Sequence, residues 1–160
     1  MGNLTFRYEP LPQDTETIRT IVESSGFFYP EEVDVAVELV SERLEKGESS
    51  GYYFVFLLDD GQVVGYSCYG PIACTQGSFD FYWLAVLNNR RGQGLGRMLI
   101  HETENQIVTV QGRGIYIETS SRPQYQPTRQ VYLRHGYQVE AVLKDFYHPG
   151  DDKVIFSKKF

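Results

Sequence analysis

Three arginines and three glycines share eight consecutive residues, Arg90-Arg91-Gly92-Gln93-Gly94-Leu95-Gly96-Arg97. That combination suits a phosphate or pyrophosphate. Glycines let backbone N–H groups approach a ligand closely. Leu95, Met98 and Leu99 fall on one helical face, so a helix is expected to open at Leu95. Its N-terminus would add partial positive charge at the same turn. Upstream, Phe79–Val86 (FDFYWLAV) is rich in aromatic and β-branched residues and reads as a strand. Alternation predicts Phe79, Phe81, Trp83 and Ala85 on one face, with Asp80, Tyr82, Leu84 and Val86 on the other.

Two glycine motifs are excluded. No Lys-Ser/Thr follows the last glycine, so this is not a Walker loop. A dinucleotide fingerprint needs an acidic residue about 20 positions on, inside an early βαβ unit. That region holds Gln111-Gly112-Arg113-Gly114 instead. His101, His135 and His148 are scattered and lack Cys/His pairing, so no metal site is expected. Cys68 reads as a small core residue, and Cys74 as a loop thiol with no histidine beside it in sequence.

The elements that must position this turn can be read along the chain. Leu4–Tyr8 alternates as an opening strand, and Asp14 or Thr15 caps a helix that turns Ile18, Ile21 and Val22 inward. Pro30 starts a second helix with Val33, Val37, Val40 and Leu44 at helical spacing, stopped by Gly47. Between the two lie Phe27, Phe28 and Tyr29, either pocket-lining or buried to pin the loop. Tyr52–Leu58 and Gln62–Tyr69 flank Asp59-Asp60-Gly61 as a hairpin. The helix from Leu95 is expected to run to about Val110, with Ile107 and Val110 inward. Ile115–Thr119 follows as a strand, Thr128–His135 as a short helix stopped by Gly136, and Tyr137–Tyr147 and Val154–Phe160 as a last strand pair.

A length of 160 residues, 41% of them hydrophobic and 14% aromatic, fits one ordered domain spanning 1–160. The formal net charge of −6 disfavours nucleic acid and anionic membranes as partners. An acidic surface suits a cationic partner such as an amine. No run approaches transmembrane length and the N-terminus lacks a signal-peptide build, so a cytoplasmic location is expected.

With these elements in place, the chain resembles the Gcn5-related N-acetyltransferases, the GNAT superfamily. Their first signature, Arg/Gln-x-x-Gly-x-Gly/Ala between a strand and a helix, is matched by Arg91-Gly92-Gln93-Gly94-Leu95-Gly96. The second, an aromatic–Tyr–x–x–x–Gly–Phe/Tyr run after the fifth strand, is matched from Val131 on by Tyr132, Gly136 and Tyr137. The stretch Asp145–Asp152 looks like a bacterial subgroup. The resemblance covers nearly the whole chain and is weakest before Tyr52. It implies an α/β (α+β) fold with a central mixed, mostly antiparallel sheet of about seven strands and about four helices.

It also implies a reaction: transfer of an acetyl group from acetyl-CoA, the cosubstrate, to a primary amine of a small molecule or peptide. By position, the backbone of Leu84, Ala85 and Val86 would take the pantetheine and thioester. Arg91, Gly92, Gln93, Gly94, Leu95, Gly96 and Arg97 would take the phosphates. Tyr132 matches the tyrosine used as general acid and also lies on the cofactor side. Tyr125 stands where many members have an asparagine that holds the pantetheine arm, so it is placed on the cofactor side without that hydrogen bond. Homodimers occur in such families, which makes one an expectation here. A catalytically silent acyl-CoA-binding sensor is the alternative.

The acceptor sets the remaining demand. Keeping a lysine-like amine neutral at pH 7 costs roughly 4.6 kcal/mol, against about 1.4 kcal/mol for an α-amino group. A base is therefore useful. Asp80, eleven positions before Arg91, and Glu118 near the end of its strand are the candidates.

Overall fold

The computed structural model describes residues 1–160. Its strands are β1 (Leu4–Arg7), β2 (Tyr53–Asp59), β3 (Gln62–Pro71), β4 (Ser78–Val86), β5 (Gly114–Ser120), β6 (Gln138–His148) and β7 (Asp151–Lys159). Its helices are α1 (Asp14–Ser24), α2 (Pro30–Lys46), α3 (Leu95–Thr109) and α4 (Gln126–Arg134). The strands form one mixed sheet in the order β1-β2-β3-β4-β5-β7-β6. Only β4 and β5 pair in parallel, with Ser78–Asp80 beside Gly114–Tyr116, while β1–β2, β2–β3, β5–β7 and β6–β7 are antiparallel or adjoin in hairpins. The fold class read from sequence is therefore the one observed.

Strict alternation fails inside β4. Ile72 N–H donates to Ser78 O at one end of the β3–β4 pair, and Leu87 N–H donates to Val64 O at the other. Between these bonds β4 holds one residue more than β3, which requires a bulge. The expectation that Asp80 shares a face with Leu84 and Val86 therefore loses its basis.

The chain divides into two compact units. The first comprises Met1–Gly70 and Trp83–Gln106, the second Pro71–Tyr82 and Ile107–Phe160. In the first, Ile18, Ile21 and Val22 of α1 and Val33, Ala36 and Val40 of α2 bury against Phe54, Phe56, Tyr66 and Cys68. The expected inward faces of both helices are present except at Leu44, which is exposed. Arg43 is buried next to it: its guanidinium lies 5.0 Å over the Tyr53 ring and pairs with Glu9 at 2.9 Å. A long stem with a paired head can fill an apolar seat that spacing alone assigns to leucine. Asp14 does not cap α1 from outside. It sits in the first turn, buried, accepting from Leu11 N–H and pairing with Arg7 at 2.7 Å. Ser67 of β3 and Thr103 of α3 share a buried hydrogen bond of 2.6 Å. Thr103 spends its proton on Leu99 O, so Ser67 is the donor to Thr103.

In the second unit, Phe79, Phe81, Ile115, Ile117, Tyr132, Tyr137 and Phe156 are buried. The α3 helix ends at Thr109, one residue short of Val110, which is exposed and not inward as expected. The last strand pair is longer than its sequence signal: only Pro149 and Gly150 separate β6 from β7. Asp151 enters β7 because its carboxylate is buried, accepting from Ser120 Oγ at 2.5 Å and facing Arg122 at 3.4 Å. The edge strand β6 leaves Val139, Val142, Leu143 and Phe146 exposed.

The closest backbone approach in the first unit is at Gly65. A Cβ there would lie 2.9 Å from the Ala85 carbonyl oxygen and 3.1 Å from both Leu99 and Val86 side chains. Gly65→Ala should therefore force β3 and β4 apart and cost about 1–3 kcal/mol, as overpacked sites do. Equilibrium denaturant unfolding of the variant checks this; an unchanged midpoint would contradict it.

Candidate active site

The glycine turn lies in the first unit. After β4, a short 3-10 turn at Asn88–Arg90 carries the chain away from the sheet. Asn88 N–H donates to Ser24 Oγ, Arg90 N–H to Leu87 O and Arg91 N–H to Asn88 O. Gly92 and Gly94 then take positive φ, +77° and +80°, a region that side chains with a Cβ enter at a cost. Gly94 O accepts from Met98 N–H at 3.1 Å, which closes the first turn of α3. The opening N–H groups of that helix have no partner within it, by helix geometry. A Cβ built on Gly92, Gly94 or Gly96 would meet nothing within 4 Å. The turn is thus open beside Gly92, Gly94 and Gly96, leaving room next to a helix N-terminus where a pyrophosphate can bind.

The three arginines are not equivalent. Arg90 is tied off: it contacts Asp59 Oδ2 at 2.5 Å and Gln93 Oε1 at 3.0 Å. Asp59 also accepts from Gly2 N–H. The Arg90 hydrogen bond, ahead of other causes, holds the Asp59 carboxyl below its ordinary range. Arg91 lies 4.9 Å over the Phe27 ring, and Phe28 packs edge-on against Trp83 at 5.1 Å. Phe27 and Phe28 are only half-buried by these contacts and Tyr29 is exposed. Arg97 is exposed in the first turn of α3. Leu84, Ala85 and Val86 end β4 half-buried.

The titratable candidates lie in the second unit. Asp80 is half-buried and its carboxyl is pushed above the ordinary range, chiefly by burial and then by the charge of Glu118. A hydrogen bond with Tyr82 and the charge of Lys153 act the other way. Glu118 is exposed and pairs with Lys153 Nζ at 2.8 Å. The structure therefore brings Asp80 and Glu118 into one charge cluster, with Lys153 and Tyr82 as members that sequence reading missed. Lys153 stands 35 positions after Glu118, and no local motif links them.

Tyr132 is buried between the rings of Tyr137 at 5.9 Å and Phe156 at 5.6 Å. Its backbone carbonyl accepts from His135 and Tyr137 N–H, the helix-ending bonds that Gly136 at φ +84° permits. Burial raises the phenol well above its usual value and keeps it protonated. Tyr125 stands at the head of α4, its ring 5.3 Å under the Arg122 guanidinium. Arg129 holds this corner by donating to the Ser120 and Arg122 carbonyls at 2.7 and 3.0 Å. Nothing in its local sequence singles it out for this part.

Comparison with known proteins agrees with these features. The family model of the acetyltransferase (GNAT) domain matches residues 49–139. A crystal structure of a protein assigned to the GNAT acetyltransferases from Desulfovibrio desulfuricans superposes with a TM-score of 0.96 at 48% identity, covering 98% of this chain and 99% of that one. PaiA N-acetyltransferase of Thermoplasma acidophilum, crystallised with coenzyme A, shares the fold at a TM-score of 0.74 and 16% identity, over 99% of each chain. An uncharacterized N-acetyltransferase of Methanocaldococcus jannaschii is 31% identical over 105 residues, and the match spans 62% of each protein's length. The matched domain, which contains both the glycine turn and the Tyr132 helix, makes this chain a member of the GNAT acetyltransferase family.

Proposed function

We propose that this protein transfers an acetyl group from acetyl-CoA to a primary amine of a small molecule or peptide. The observation that carries the reading is the strand–turn–helix from Leu84 to Arg97, whose glycines face open space while Arg90 is held away on Asp59. The coenzyme A bound by the T. acidophilum fold relative supports the same ligand class. The residues fit it. Amides of Gln93–Arg97 would hold the pyrophosphate, with Arg97 adding charge, and the end of β4 would hold the pantetheine arm by its backbone. A fixed N–H aimed at the thioester oxygen is the dipole that stabilises charge developing there.

In the reaction the amine nitrogen bonds to the acetyl carbon and the carbon–sulfur bond breaks. The amine gives its proton to a carboxylate, for which Asp80 and Glu118 are the candidates. The departing thiolate takes a proton from the Tyr132 phenol. Unshifted, that last transfer runs uphill by roughly 2 kcal/mol. Burial makes the phenol a weaker acid still, while ensuring that it carries the proton at every working pH. The weakened acid is also what favours the alternative, a silent acyl-CoA sensor. The sensor would bind coenzyme A tightly and release no thiol from acetyl-CoA across a panel of amines and peptide N-termini. A homodimer and a cytoplasmic location belong to this proposal as its expected setting.

Two variants separate its parts. Gly96 lies in the first turn of α3 without positive φ, so Gly96→Ala should leave apo stability unchanged or raise it by about 0.5–1 kcal/mol. The same methyl should weaken coenzyme A binding, measured by calorimetry; unchanged affinity would remove the pyrophosphate from this turn. Tyr132→Phe keeps the packing and removes the proton. Single-turnover acetyl transfer should slow by about 10²–10⁴, with acetyl-CoA binding retained. Wild-type single-turnover kinetics would sink the acid assignment.

A further inference from the structure

Each oxygen of the Asp59 carboxylate is committed to a different segment of the chain. Oδ1 accepts from Gly2 N–H at 2.8 Å, and Oδ2 faces Arg90 Nη2 at 2.5 Å. The carboxylate is itself held in place. Leu4 pairs with Asp59 across β1 and β2. Asn3 N–H donates to Asp60 Oδ1 at 2.9 Å, and Asp60 N–H donates to Asn3 O at 3.0 Å. The Asp59 side chain is 10% exposed and that of Arg90 22%. Solvent ions screen such a pair less than one at the open surface.

Arg90 works with two edges of its guanidinium. Nη2 takes Asp59, while Nε donates to Gln93 Oε1 at 3.0 Å. Gln93 is the residue between Gly92 and Gly94, which stand at φ +77° and +80°. Two contacts thus run from the β2–β3 hairpin into the middle of the turn. Residues 92–96 hold three glycines, and glycine adopts either sign of φ with little preference. Such a run stays loose unless something outside it selects one arrangement, and a planar fork anchored at its far edge can do so. We propose that Asp59 is a positioning residue for the glycine turn: through Arg90 and Gln93 it selects the backbone arrangement of residues 92–96. Its consequence for the pyrophosphate rests on the acetyl-CoA reading, whereas the strut itself rests on these contacts. A ligand that fits only one arrangement loses apparent affinity as the population of that arrangement falls. Loosening the turn therefore weakens the phosphate end of coenzyme A and spares the pantetheine end.

Order in the apo turn is read by nitrogen-15 relaxation at Gly92, Gly94 and Gly96, and binding by calorimetry with coenzyme A and with pantetheine. Asp59→Asn keeps the shape of the side chain and removes its charge. The order parameters of the three glycines should fall from about 0.85 toward roughly 0.6 or below. Coenzyme A affinity should drop by about tenfold or more, with pantetheine affinity unchanged. Arg90→Lys cannot reach both partners with one ammonium and should act in the same direction. Glu9→Gln breaks the Arg43 pair in the same unit and controls for lost stability, so it should leave both readouts at wild-type values. Order parameters unmoved in Asp59→Asn, or lowered as far in Glu9→Gln, overturn the proposal. An equal loss of affinity for pantetheine also overturns it. If Asp59→Asn does not fold, Gln93→Ala decides, because the exposed Gln93 side chain is the far end of the strut: a turn that stays ordered overturns the proposal. A turn loosened by Asp59→Asn in a protein that takes up no coenzyme A would strike the acetyl-CoA reading and leave the strut standing.

Discussion

The ion pair between Arg90 and Asp59 governs how the chain leaves its strand and enters α3. Asp59 ends the β2 hairpin arm and also receives the Gly2 N–H, so one carboxylate gathers the N-terminus, the hairpin and the turn. With Arg90 fixed there and braced on Gln93, the next residues can take left-handed conformations and present amides outward. The most concentrated positive charge in the sequence is thereby split. One arginine builds the turn, one stacks on Phe27, and one remains at the surface. Anion binding at this place would then rest first on oriented backbone dipoles, which cost no side-chain entropy, and only second on full charges.

The second unit handles its polar groups differently. Its carboxylates are graded by burial and partner: Asp151 is buried on Ser120 and Arg122, Glu118 is exposed on Lys153, and Asp80 stands between. Tyr132 is held by aromatic packing, with helix-ending bonds fixing its backbone. A packed ring is placed accurately but acidified poorly, because burial favours the neutral phenol. At Tyr132 the same burial fixes the ring and weakens the phenol as an acid.

Much of this was legible in the sequence because it is local. The glycine turn, the Pro30 start of α2, the Gly47 and Gly136 stops and the hairpin at Asp59-Asp60-Gly61 all depend on neighbours within a few residues. The apolar faces of α1 and α2 were readable from period alone. What failed was non-local. Leu44 lost its inward seat to Arg43, whose partners Glu9 and Tyr53 come from elsewhere in the chain. The bulge in β4 has no composition signal, since it is set by pairing with β3. Lys153 came beside Glu118 through strand register, and Arg129 reached the Ser120 and Arg122 carbonyls through a crossing loop. Arg90 counted only as part of the positive charge around the turn, and its role as a strut was hidden because its partner Asp59 lies 31 residues away.

The central claim is that the backbone of residues 92–97 binds the pyrophosphate of coenzyme A. Calorimetric titration of the apo protein with coenzyme A and, separately, with pantetheine, which lacks the pyrophosphate, tests it most directly. The account predicts saturable binding of one coenzyme A per chain, with pantetheine weaker by about tenfold or more, a difference of ~1.4 kcal/mol or greater. Equal affinity for the two ligands, or no heat with coenzyme A at all, would contradict it.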